Sequence, residues 1–130
     1  MGTDEGRNKC VMVVEDEPDN REIIRSVVED LLGYRALLVA DGSEAVRTAI
    51  EARPDLVLMD LMIPVVDGFE AIRQLKSAVE TAHIPVIAVT ALSRSLERQR
   101  AIEEGADGYI GKPFDLDELM GIINRYLNRG

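Results

Sequence analysis

Five residues able to do chemistry each stand just beyond a short apolar run. Glu15 and Asp16 follow Cys10–Val14, Asp60 follows Leu56–Met59, Thr90 follows Pro85–Val89, and Lys112 lies just after Tyr109–Ile110. If these runs are parallel strands of an open sheet, the five side chains share one crevice, because such sheets bind ligands beyond the carboxyl ends of their strands. Asp60 directly follows the most hydrophobic run, where an unpaired buried carboxylate would be very costly, so it is expected at a strand exit. Three carboxylates drawn together repel and raise one another's pKa values unless a cation lies among them. Magnesium suits that place, since it takes a few carboxylate oxygens and fills its shell with water and phosphate oxygens. Lys112 offers a mobile positive charge to a phosphoryl oxygen or, without one, to the carboxylates themselves. Thr90 offers a hydroxyl to the same oxygen. The set points to a hard divalent cation and a phosphoryl group.

The elements between these residues must bring them together. Cys10–Val14 is continuously apolar, as expected of a strand covered on both faces, and Leu37–Val39, Leu56–Met59, Pro85–Val89 and Tyr109–Ile110 read as further strands. Pro18 opens a first helix, where its missing N–H does no harm. Ile23, Ile24, Val27, Val28, Leu31 and Leu32 give that helix one apolar stripe, and Gly33 ends it. Asp41 with Glu44, Asp67 with Glu70 and Asp115 with Glu118 mark three more helix starts by an acid followed three residues on by glutamate. Inward faces are expected at Ala45, Val46, Ala49 and Ile50, at Phe69, Ile72 and Leu75, and at Leu119, Ile122, Ile123, Tyr126 and Leu127. A thinner, more polar helix carries Leu96 and Ile102 and ends at Gly105. Five strands alternating with five helices require parallel pairing and right-handed crossovers, hence an α/β three-layer sandwich.

The 130 residues suit one domain, expected over residues 9–128 behind a polar, disordered tail at 1–8. No linker or internal repeat interrupts it, and no second domain is expected after the last helix. A single cysteine, Cys10, excludes an internal disulfide and reads as a small buried hydrophobe. With no secretory signal and no apolar run of spanning length, a cytoplasmic location away from the membrane is the default. A net charge of −9 would repel phosphate backbones, which argues against direct nucleic-acid binding.

Five segments now stand in order: Val13 to Glu17, Asp60 to Pro64, Asp67–Gly68, Val89 to Ala91, and Lys112 to Phe114. Through them the chain resembles the receiver domain of two-component response regulators, in particular the single-domain, chemotaxis-regulator-like kind, from about Lys9 to Leu127. The resemblance implies a flavodoxin-like, doubly wound (βα)5 fold with strand order 2-1-3-4-5. It implies that Asp60 accepts a phosphoryl group from a phosphohistidine of a histidine kinase or phosphotransfer protein. Such a domain promotes its own phosphorylation and slow dephosphorylation and is not an enzyme with turnover. By the same resemblance, Asp16, Asp60 and the Met62 backbone carbonyl bind Mg2+ directly and Glu15 does so through water. Thr90, Ala91 and Lys112 hold the phosphoryl oxygens, Thr90 and Tyr109 form the switch, and Lys112–Pro113 is cis. Output passes through the face of helix four, strand five and helix five to a downstream protein, with phosphorylation-dependent homodimerisation left open. In the family, the positions of Met62 and Leu92 flank the water that removes the phosphoryl group. Both are apolar here and cannot orient a water, so a long-lived phosphoryl-aspartate is expected. Two positions depart from the family pattern: Glu15 stands where aspartate is common, and Ile63 replaces a frequent methionine.

Other readings meet specific obstacles. A haloacid-dehalogenase-type phosphatase needs a second aspartate two residues after its nucleophile, and Met62 occupies that place. A dinucleotide-binding domain needs a glycine-rich turn after strand one, where Glu15–Asp16–Glu17–Pro18 stands instead. The intact acid set argues against a non-phosphorylated scaffold. A receiver excised from a hybrid histidine kinase or a longer regulator stays open. His83, in a loop, lacks the helical face and neighbouring acid of a relay histidine. Arg94, Arg98 and Arg100 form a basic stretch read as a solvated face or a contact for an acidic partner.

Overall fold

Backbone hydrogen bonding sorts the chain into β1 (Cys10–Val14), β2 (Arg35–Val39), β3 (Leu56–Met59), β4 (Val86–Thr90) and β5 (Gly108–Gly111), with helices α1 (Pro18–Ser26), α2 (Gly42–Ala52), α3 (Gly68–Ser77), α4 (Ser95–Glu103) and α5 (Leu116–Leu127). The structure is a computed structural model and describes residues 9–63, 65–91 and 95–127. The expected tail at 1–8 lies outside those residues, as do Pro64, Leu92, Arg94 and the domain's last expected residue, Asn128. All strands pair in parallel in the order β2-β1-β3-β4-β5, the order that the resemblance implies.

Alternation along each strand divides the interior into two cores. Met12, Val14, Val57, Met59, Val86 and Ala88 face one way and pack with Ala45 and Ala49 of α2, Phe69, Ile72 and Leu75 of α3, and Ala101 of α4. Val11, Val13, Leu56, Leu58, Ile87 and Val89 face the other way, against Ile24 of α1, Val27 and Val28 beyond it, and Leu119, Ile123 and Leu127 of α5. Two buried faces explain why the strands read as unbroken apolar runs. Asp41 and Asp67 cap α2 and α3 as expected, each accepting a hydrogen bond from the backbone N–H three residues on, at 2.8 and 2.9 Å.

The first helix departs from its expected stripe. Beyond Ser26 it widens into a π turn over Val27–Leu31, where the Leu32 N–H donates to the Val27 carbonyl at 3.0 Å. The extra residue in this turn shifts the phase of the helix, so Leu31 ends 58% exposed, and Ile23 on the preceding turns is also exposed. The Glu29 carboxylate accepts hydrogen bonds from Arg25 at 2.9 Å and from the Ala36 N–H of β2 at 3.1 Å. That second bond satisfies a backbone donor on an edge strand, a group that otherwise invites another chain. The fourth helix is as thin as expected: Leu96 and Ile102 are 75% and 52% exposed, and Ala101 is its one buried residue among those described.

Val65 carries a backbone φ of 72° and is almost fully exposed. The left-handed region crowds a β-branched side chain and costs an L-residue about 1–2 kcal/mol. Val65→Asn should therefore raise stability by about 1 kcal/mol, roughly 4 °C in unfolding midpoint. Thermal unfolding checks this, and an unchanged or lower midpoint would contradict it.

Candidate functional site

The sheet register sets the site. Val14 pairs with Val39 on one side and Met59 on the other, so the ends of β1 and β3 lie level and release Glu15 and Asp60 side by side. Backbone bonds hold that edge: the Glu15 N–H donates to the Val39 carbonyl at 2.9 Å and the Asp60 N–H to the Val14 carbonyl at 3.0 Å. On the far side, Thr90 pairs with Gly111, and the Lys112 N–H donates to the Thr90 carbonyl at 2.8 Å. Lys112–Pro113 is cis, as the resemblance implied.

These supports bring the acids together. Carboxylate oxygens of Glu15, Asp16 and Asp60 lie within 4.8 Å of one another. Glu15 and Asp60 are buried, at 1% and 6% exposure, while Asp16 is exposed. The Lys112 ammonium spans the buried pair, 2.5 Å from Glu15 Oε1 and 3.0 Å from Asp60 Oδ2. The remaining oxygens are also engaged. Glu15 Oε2 accepts from the Glu17 N–H at 3.1 Å, and Asp60 Oδ1 accepts from the Met62 N–H at 3.0 Å. Burial raises the Glu15 pKa above the usual carboxylate range, with Lys112 and the Glu17 N–H offsetting part of the rise. Burial opposes the Lys112 charge, yet its hydrogen bonds to Glu15 and Asp60 outweigh that and hold the ammonium more firmly protonated than usual.

Of the other expected residues, Thr90 is fully buried at the end of β4 and Ala91 is exposed beside it. Tyr109 sits half-buried on β5 against the α2–α4 core, outside the acid cluster. Met62 is largely exposed but its N–H belongs to the cluster. A cleft of about 600 Å³ opens beside Lys112, bordered by Asn20 and Ile23 of α1, Ala91 and Phe114. Sequence reasoning missed two contacts: the Glu17 N–H on Glu15, and Arg21, whose guanidinium donates to the Glu15 carbonyl at 3.0 Å. The signal for the first was the extra methylene of Glu15, which lets its carboxylate reach both a backbone N–H and Lys112.

Oxygen ligands around Mg2+ at ~2.1 Å sit ~3–4 Å apart, so three carboxylates within this spread suit a hard cation with small adjustments. Glu15, Asp16 and Asp60 are the residues that could hold it. The loop beneath them is fixed by close packing. A Cβ on Gly68 would stand 2.5 Å from the Asp60 carbonyl oxygen and 2.4 Å from Leu61 Cα, which only glycine permits.

A five-stranded parallel sheet in this order, with acids and a lysine at one end, is the arrangement that the resemblance implied. The profile of the response regulator receiver domain matches residues 11–124, and the chain belongs to that family. It is 40% identical over 119 residues to the polar-differentiation response regulator DivK of Brucella anthropi, covering 92% of this chain and 96% of that protein. It is 33% identical to the DNA-binding dual master transcriptional regulator RpaA of Synechocystis, over 92% of this chain but 49% of that protein. Among solved structures, the receiver domain of sensor histidine kinase PA1611 from Pseudomonas aeruginosa is similar with a TM-score of 0.86 and 37% identity, covering 94% of this chain and 99% of that one. That relative was solved with a magnesium ion coordinated in its active-site cleft. Similar domains thus stand nearly alone or form part of longer proteins. Among the described residues, no helix is long and apolar enough to cross a membrane.

Two substitutions test the cluster. Gly68→Ala should destabilise the fold by about 2 kcal/mol through overpacking against the loop, read by urea unfolding. Lys112→Met should cost about 3 kcal/mol by leaving buried carboxylates without their cation. Added Mg2+ should then raise the unfolding midpoint of Lys112→Met more than that of the unaltered protein. Equal Mg2+ responses would contradict the counter-ion role of Lys112.

Proposed function

We propose that residues 9–128 form a phospho-acceptor module in which Asp60 takes a phosphoryl group from the phosphohistidine of a histidine kinase or phosphotransfer protein. The observation that carries this reading is the lysine ammonium bridging two buried carboxylates at the mouth of an open cleft. An Asp60 oxygen attacks phosphorus, the nitrogen–phosphorus bond breaks, and the histidine leaves. Transfer of this kind asks the protein chiefly for alignment and neutral surroundings for the equatorial oxygens. Asp16, Asp60 and the Met62 carbonyl would hold Mg2+, with Glu15 acting through water, and the ion would supply charge neutralisation for those oxygens. Lys112 exchanges its contact with Asp60 for a phosphoryl oxygen while Glu15 keeps it oriented. Thr90 and the Ala91 N–H contribute donors, and the small Ala91 side chain leaves the approach open. The product carries roughly one more negative charge than the free carboxylate. Thr90 is drawn to it, Tyr109 fills the space released, and the α4–β5–α5 face changes for a downstream protein or a second copy. The cytoplasm, where kinases present their phosphohistidines, is the proposed setting.

The identity with a single-domain response regulator over nearly its whole length supports this reading, and Met62 in the place of a second aspartate disfavours a phosphatase. Asp60→Asn should abolish base- and hydroxylamine-labile phosphoryl incorporation from a phosphohistidine donor or acetyl phosphate, and omission of Mg2+ should do the same to the unaltered protein. Label retained at this site in Asp60→Asn would refute the assignment. With Met62 and Leu92 both apolar, the label should persist for minutes or longer without a phosphatase, and loss within seconds would contradict that expectation.

A further inference from the structure

Two buried oxygens near β5 lack a hydrogen-bond partner: the Tyr109 hydroxyl and Glu97 Oε1. Native folds rarely leave such groups unpaired, because each forfeits its water without recompense. The two are complementary, since a phenol O–H donates and an ionised carboxylate only accepts. They also lie on elements that touch, α4 and β5. Tyr109 holds its proton more tightly than usual, first through burial and then through the charge of Glu97, with Arg98 acting in the opposite direction. Arg98 itself lies over the Tyr109 ring, its guanidinium carbon 5.9 Å from the ring centre.

The helix that carries Glu97 and Arg98 is thinly anchored. Its buried side, among the described residues, is Ala101 alone, supplemented by Arg100 stacked 4.0 Å over the Phe69 ring. A helix held by one methyl group and two cation–ring contacts can shift without tearing out an apolar stripe.

We propose that Glu97 is the positioning residue for Tyr109, the acceptor that its hydroxyl meets when α4 and the ring rearrange together. The unpaired arrangement accompanies a Lys112 bound to both carboxylates, so the paired one belongs to the state in which a phosphoryl group has taken Lys112 from Asp60. The inference rests on the phospho-acceptor reading and names what couples that event to α4. Pairing satisfies two orphaned groups at once, which biases the protein towards the phosphorylated arrangement.

The test uses the full chain with ¹³Cζ-labelled tyrosine, titrated with Mg2+ and beryllofluoride and followed by NMR, in the unaltered, Glu97→Ala and Glu97→Gln proteins. Tyr109→Phe identifies the resonance among the three tyrosines. In the unaltered protein, saturation should move the Tyr109 signal downfield as its hydroxyl donates to a carboxylate. In Glu97→Ala, the Met62 and Thr90 amides should still respond, the Tyr109 signal should stay in place, and the apparent beryllofluoride affinity should fall about five-fold, the worth of one hydrogen bond. Glu97→Gln keeps an acceptor and should recover most of both effects. A Tyr109 signal that moves equally in all three proteins, with equal affinities, would overturn the inference and leave the phospho-acceptor reading standing. No response at Met62 or Thr90 even in the unaltered protein would overturn both.

Discussion

One ammonium group between two buried carboxylates governs this molecule. Glu15 and Asp60 are nearly inaccessible to water, and Lys112, 97 and 52 residues away from them in sequence, is the group that offsets their charge. A charge so far from bulk water is tolerable only when paired and hydrogen-bonded. With Asp16 at the rim, three carboxylates against one ammonium leave a local charge of −2, which is the charge of one divalent cation with its sign reversed. The arrangement is therefore balanced for exchange. On the proposed reading, a dication joins the acids and a phosphoryl oxygen takes the lysine without either event stranding a buried charge.

The rest of the fold serves to keep these side chains level. Strands covered on both faces are rigid, and their parallel alignment places every chemically useful residue at one edge. Glycine at position 68 lets α3 begin directly against the loop that carries Asp60. The exposed Val65 in a left-handed conformation belongs to the same loop, so local strain sits where the backbone has been shaped around the acids. Stability and site geometry are linked there through the packing of Gly68 against Asp60 and Leu61.

Much of this was legible in the residues, for identifiable reasons. Unbroken apolar runs such as Val11–Val14 require burial on two sides, and burial on two sides requires a parallel sheet with helices above and below. The capping aspartates at 41 and 67 declared their helices because their carboxylates have few other uses at those positions. Periodicity failed where the backbone left its regular pitch. The π turn at Val27–Leu31 turned Leu31 outward, a change that no spacing of three and four can express. In α4, read as a thinner and more polar helix, Leu96 and Ile102 both lie exposed. Ala101 and the contacts of Arg98 and Arg100 with aromatic rings fix that helix instead. The role of Glu15 as the holder of Lys112 depends on three-dimensional reach. The sequence could announce its extra methylene but not the two partners that use it.

The central claim is that Lys112 is a shared counter-ion, released in part when a phosphoryl group arrives. Nitrogen-15 NMR of the lysine side-chain ammonium groups tests it most directly. The account predicts one ammonium resonance, absent in Lys112→Met, that exchanges slowly with solvent at neutral pH and shifts when Mg2+ and beryllofluoride bind. A Lys112 ammonium that exchanges as fast as surface lysines and ignores both ligands would contradict it.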